Sequence, residues 1–264
     1  MMKSILLSTV FLLTACYLFA VIPPAKKDKQ KKSTVTLKFN NVFGNENFEF
    51  KKEYTTAFGE KLTFITLNYF ISNIKFTKKD GSEYIVPQDS SYFLVKHPDS
   101  LSNIIHLENI PEGKYTAVTF TIGVDSVRNT LPIAQRSGAL DVGAAARGMY
   151  WVWNSGYIFF KLEGKTVNEI DSLQKRFQYH IGGYGGYDSK TINNIKVKTL
   201  DLKELTVSNK KQPVINVQVN IAKFFDNTTP IKVAEHRSVM WGDLSVKIAD
   251  NYFSIFNLGD VTYQ

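Results

Sequence analysis

The sequence predicts an all-β protein: an antiparallel β-sandwich with Greek-key-like connections and a few short helices. Three observations carry this prediction. Apolar residues recur with period 2 in many short runs, turn signals rich in Gly, Pro and Asp separate those runs, and helical periodicity is scarce.

Taken in order, Val35, Leu37 and Phe39 alternate with polar residues and open the body as a half-buried strand. Residues 62–77 (LTFITLNYFISNIKFT) continue the pattern, and Asp80-Gly81 is a tight-turn signal leading to a strand over residues 84–86. Residues 91–96 and 115–124 read as further strands, with Pro111-Glu112-Gly113 as a turn between them. Residues 131–146 (LPIAQRSGALDVGAAA) read as a small-residue loop holding at most a short helical turn. Residues 148–164 (GMYWVWNSGYIFFKLEG) read as a heavy aromatic strand, in which period 2 places Trp151 and Trp153 on one face. Residues 192–200 and 214–221 alternate again, and residues 235–249 are a candidate helix. With no internal repeat and no dividing linker, residues 34–264 read as a single domain.

The N-terminus reads as an export signal over residues 1–22: a short basic start at Lys3, then an uncharged apolar run. Leu13-Thr14-Ala15-Cys16 looks like a bacterial lipobox, which implies cleavage before Cys16 and lipid on its thiol. The alternative is an uncleaved anchor, since the run approaches spanning length. Either way the body is expected outside the cytoplasm, membrane-anchored, facing the periplasm or the cell surface. Residues 23–33 read as a basic linker, and the stretch KKDKQKK within it supplies much of the net charge of +8. No basic–aromatic stripe recurs in the body, so nucleic acid is not an expected partner. Cys16 is the single cysteine, so the body has no disulfide and no thiolate metal site.

The glycine run from Gly182 to Gly186 lacks the Lys-Ser/Thr pair of a phosphate loop, and no nucleophile elbow, zinc-protease His pair or calcium loop occurs. The chain is therefore not read as an enzyme. Asp125, Asp141 and Glu163 sit beside turns or strand ends, where carboxylates cap backbone amides. His97 and His106 flank a polar loop near the surface. In Phe177-Gln178-Tyr179-His180-Ile181, alternation puts the apolar residues on one face and His180 on the other. His236 precedes Met240 by one turn if that segment is helical, and imidazole with thioether suits copper better than calcium or magnesium. Trp151, Trp153 and Tyr157 read either as core or as site-lining aromatics.

Residues 67–74 (LNYFISNI), 122–125 (IGVD), 138–141 (GALD), 148–164 and 179–183 (YHIGG) occur in that order. Their order and wording resemble the MbnP-like copper-binding proteins, a family named for the periplasmic partner found beside methanobactin genes. The cysteine-free body is similar to the Bacteroidetes-like lipoprotein branch. The resemblance implies an extracytoplasmic β-rich protein that binds copper. It also implies that a partner di-haem enzyme of the peroxidase type oxidises a tryptophan to kynurenine. Carried over, Trp151 or Trp153 is the modified position, His180 a metal ligand, and His236 and His106 further candidates.

The function expected from sequence is thus copper acquisition, storage or handover. The alternative is a metal-free module in which Trp151, Trp153 and Tyr157 offer aromatic faces to glycan or peptide.

Overall fold

The computed structural model describes residues 30–151, 156–167 and 176–264; the export-signal segment, Cys16 and Trp153 lie outside the described residues. The elements run β1 (Lys32–Phe43), β2 (Glu46–Asn47), β3 (Tyr54–Thr55), β4 (Lys61–Lys78), β5 (Glu83–Ile85), β6 (Tyr92–His97), β7 (Ile104–Pro111) and β8 (Gly113–Ile122). After helix α1 (Ser126–Thr130) come β9 (Ile158–Thr166), β10 (Arg176–Gly182), β11 (Lys196–Val207) and β12 (Pro213–Asn220). Then follow α2 (Ala222–Phe225), β13 (Ser238–Val239), α3 (Asp243–Ile255) and β14 (Phe256–Tyr263).

These strands form an all-β sandwich. One sheet has the order β14-β12-β1-β2, with β7 also on β1. The other has the order β11-β8-β4-β9-β10-β13, with β3, β5 and β6 also on β4. Pairing is antiparallel except for β1 with β12 and β10 with β13, which are parallel. The period-2 pattern read from sequence decides what faces inward: Val35, Leu37 and Phe39 are buried, and the Phe39 ring meets Tyr69, Phe120 and Phe256 edge-on at 5.9–6.4 Å. Helix α3 closes one flank, with Tyr252 stacked on Phe160 at 5.3 Å.

Strand β4 organises the second sheet. Residues Leu67–Tyr69 pair with both β6 and β9, so those two strands lie on opposite edges of β4. Ile71 and Ser72 pair with both β6 and β8, so β8 shares an edge with β9. One edge of β4 therefore passes from β9 to β8 between Tyr69 and Ile71. The ladder to β8 is irregular between Ser72 and Lys75, where Asn73 adopts φ 49°, a conformation Asn tolerates better than most residues. The Gly123 N–H donates to the Phe70 carbonyl at 3.0 Å, and the Phe159 ring lies where a Gly123 Cβ would otherwise crowd it at 3.0 Å. A second apolar cluster, including Phe70, Leu94, Tyr157, Phe159 and Trp151, lies at this junction, apart from the inter-sheet core.

Two sequence expectations change. The aromatic segment is not one strand from residue 148: β9 starts at Ile158, Tyr150 bridges Tyr157, and the Trp151 N–H donates to the Gly156 carbonyl at 3.0 Å. Trp151 and Gly156 thus face each other across an antiparallel pair. Gly148 and Gly156, at φ 74° and 71°, take the left-handed geometry that interrupts a strand. The helix expected at residues 235–249 starts only at Asp243. The preceding residues are held extended, because the Glu60 carboxylate accepts the N–H groups of Val233 and Ala234 and β13 then pairs with β10.

Gly164 tests the closeness of this packing. A Cβ there would stand 2.2 Å from the Thr63 carbonyl oxygen and 2.4 Å from the Phe177 ring. Gly164→Ala is expected to destabilise the fold by about 1–3 kcal/mol, read as a lowered denaturant midpoint; an unchanged midpoint would refute this account of the β4–β9–β10 contact.

Candidate functional site

The outer face of the second sheet carries the polar residues that alternate with the core. Asn68, Lys161 and His180 are cross-strand neighbours on β4, β9 and β10, and Thr66, Glu163 and Gln178 form the next row. Glu163 is not a cap at a strand end, as its position in the sequence suggested. It lies within β9 and binds three partners: His180 Nε2 at 2.7 Å and Lys161 Nζ at 3.4 Å on Oε1, and the Thr66 hydroxyl at 2.6 Å on Oε2. The hydrogen bond from His180, with Thr66 and Lys161 adding to it, outweighs burial and holds the Glu163 carboxyl down at about 2. Asp125 and Asp141 do cap backbone amides, as expected.

An ionised carboxylate only accepts hydrogen bonds, so Nε2 of His180 carries the proton opposite Glu163. In the neutral ring the lone pair is then on Nδ1, which has no hydrogen-bond partner in the structure. The His180 side chain is 12% exposed, so this lone pair sits in a largely enclosed setting.

Two indoles border the strand just beyond His180. The Trp151 ring packs on Gly182, where a Cβ would lie 2.8 Å from Cζ3 and 2.4 Å from the Tyr157 carbonyl oxygen. The Trp241 ring packs on Gly183, which has φ 108°. The glycine pair after His180 therefore leaves room for indoles and is not a phosphate cradle. Lysines fasten the segment before Trp151 over this face: Lys96 Nζ donates to the Ala145 carbonyl and Lys161 Nζ to that of Gly148. Met149 is buried there, its thioether accepting from the Asn68 amide at 3.8 Å.

The histidines identified from sequence do not converge. His106 lies on β7 with its side chain on the outer face of the first sheet, beside Thr36, so the sandwich core separates it from His180. His236 precedes β13, and the parallel register sets Ser238 opposite Gln178, so His236 falls four residues short of His180, about 13 Å along the strand. Its carbonyl accepts the Tyr179 hydroxyl at 2.6 Å. The helical premise that joined His236 to Met240 fails, and register gives Met240 a different neighbour. Gln178 Nε2 donates to Ser238 Oγ at 3.1 Å on the outer face, while Tyr179 and Val239 are buried in the core. The next pair in this alternation is His180 with Met240, and Met240 packs against the cluster that contains Trp151. Sequence reasoning did not pair these two, because the signal is the register of a two-residue strand.

Tyr157 is fully buried, its hydroxyl donating to the Leu140 carbonyl at 2.5 Å, and burial pushes its pKa up to about 12. Trp151 is 8% exposed. Neither presents a face to solvent, which counts against an aromatic platform for glycan at these two residues. Among the described residues no three His, Cys, Asp or Glu side chains gather as a metal-binding group.

The family model for MbnP matches residues 32–241. The chain belongs to the MbnP family. The solved structure of MbnP from Methylosinus trichosporium is similar in fold, with a TM-score of 0.56 at 13% identity, over 81% of this chain and 82% of that one. No curated protein matches the sequence. The match to the MbnP family stops before α3 and β14, yet both complete the sandwich, β14 as the neighbour of β12.

The low pKa of Glu163 has a consequence for stability. Its ordinary value is 4.5 and its folded value about 2, so its contribution is fully present above pH 4.5 and is lost as pH falls toward 2. The stability advantage of wild type over Glu163→Gln is expected to shrink by roughly 3 kcal/mol across that window. Urea denaturation at stepped pH measures it, and a difference independent of pH would show that Glu163 is not held in this way.

Proposed function

We propose that this MbnP-family protein is an exported, lipid-anchored copper-binding protein that serves copper acquisition, storage or handover. The observation that carries the reading is the Nδ1 lone pair of His180, left without a partner while Glu163 fixes Nε2. A metal-binding histidine commonly has its second nitrogen hydrogen-bonded to a carboxylate, which sets the tautomer and the ring orientation.

The neighbouring donors suit a soft ion. Met240 is level with His180, and Met149 is a second thioether on the same sheet face. Thioether and imidazole together favour copper, and thioether favours its monovalent form. Charge agrees, since Lys161 offsets Glu163 and leaves little net negative charge to compensate a divalent ion.

Trp151, packed on the strand two residues beyond His180, is the described candidate for conversion to kynurenine by a partner di-haem enzyme of the peroxidase type. An intact indole is a poor ligand, whereas the ring-opened product offers an aryl amine and a ketone. Trp153 remains the alternative position, and its two-residue separation from Trp151 makes peptide-level mass spectrometry of material from the native host the deciding measurement.

Cuprous ion is expected to bind the purified protein at one equivalent. His180→Ala should abolish that binding, Glu163→Gln should weaken it by about 10–100-fold, and Met240→Leu should weaken Cu(I) more than Cu(II). Competition titration with a chromophoric Cu(I) chelator reads all three. Equal affinity in wild type and His180→Ala would overturn the reading.

A further inference from the structure

Away from His180, a cavity of about 260 Å³ is lined by Tyr92, Arg128, Gln135, Arg136 and Ser137. We infer that this cavity is a binding site for a small oxyanion, a carboxylate or a phosphate, gripped by Arg128 and Arg136.

The first support is an unbalanced buried charge. Arg136 is 9% exposed and has no carboxylate partner among the described residues. Its Nε and Nη2 donate to the carbonyls of Leu131 and Asn129 at 3.0 and 2.9 Å, while its Nη1 is buried without a partner. Its guanidinium lies 4.5 Å from the Tyr150 ring centre and 5.2 Å from that of Tyr157. Ring faces and carbonyls offset part of the cost of a buried cation, but a counter-ion offsets more. A second orphan donor is in the same wall: Nε of Arg128 is also buried without a partner.

The donor chemistry gives the ligand class. Two guanidinium forks, an amide and a hydroxyl face one small space, and planar forks suit carboxylate and phosphate oxygens. Asp89 is the carboxylate that lines the cavity; it pairs with Arg128 but is 88% exposed, and such pairs hold weakly. An incoming anion can therefore take its place. The volume falls below the range of about 300–1,000 Å³ usual for drug-sized ligands, which points to an anion of few heavy atoms.

The site is also wired to the tryptophan segment. Asn129, whose carbonyl takes Arg136, accepts the Tyr157 N–H at 2.9 Å through its side chain. An anion on Arg136 thus braces the pair Tyr150–Tyr157 that borders Trp151.

The test titrates the protein with sodium phosphate and, separately, sodium acetate, at ionic strength matched with sodium chloride, by calorimetry and thermal melting. Saturable one-to-one binding with a raised Tm is expected for at least one anion, and which of the two binds separates the sources. Arg128→Gln, at the exposed side of the cavity, should weaken binding at least tenfold with little change in the anion-free Tm. Arg136→Lys, which keeps the charge but loses the fork, should weaken it as well. Neither anion binding beyond the chloride control, or Arg128→Gln binding as wild type does, would overturn the inference.

Discussion

Strand β4 carries the constraint on which the rest of the second sheet depends. One strand must offer an unbroken edge to β6 while its other edge changes partner from β9 to β8. Two neighbours sharing one edge end to end must diverge where they meet, and divergence leaves apolar surface to be covered. The chain covers it with the long connection from Gly123 to Tyr157, whose side chains form a second core on the outer face of the sheet. Without that connection, Phe70 and Phe159 would face solvent. The same connection holds Trp151 and Tyr157 near His180 and the arginine-lined cavity, so both sites are by-products of closing one seam.

Electrostatics then refine what packing has brought together. Glu163 serves a histidine, a lysine and a threonine at once, which ties three strands through a single carboxylate. The arrangement fixes the ring of His180 without consuming both of its nitrogens. Lys161 meanwhile reaches the Gly148 carbonyl, so the charge that tempers Glu163 also fastens the segment leading to Trp151. Orientation of the histidine and placement of the indole are thereby coupled.

Much of this was legible in the sequence. Alternation gave the strand pairs and the outward face of His180 correctly, because burial on one side of a sheet imposes period 2. It failed at Trp151, where Gly148 and Gly156 break the strand while the apolar pattern runs on through the break. It failed at His236 because a segment can have helix-compatible spacing and still be drawn straight by Glu60 and β10. The pairing of Glu163 with His180 lies beyond local reading: the two are neighbours only through the β9–β10 register. The same holds for Met240, and for Arg136, which looks like an ordinary loop arginine until its burial is seen.

Strand β13 is only two residues long, and it holds Met240 and Trp241 beside the site. Its hold on β10 consists of a short parallel ladder and the Gln178–Ser238 side-chain bond. The adjoining wall can therefore swing away by rupturing a few hydrogen bonds, while the inter-sheet core stays intact. Such local opening costs far less than global unfolding. Traffic into and out of the enclosure is then governed by the hinge of one short strand, and its rate can evolve independently of the stability of the sandwich.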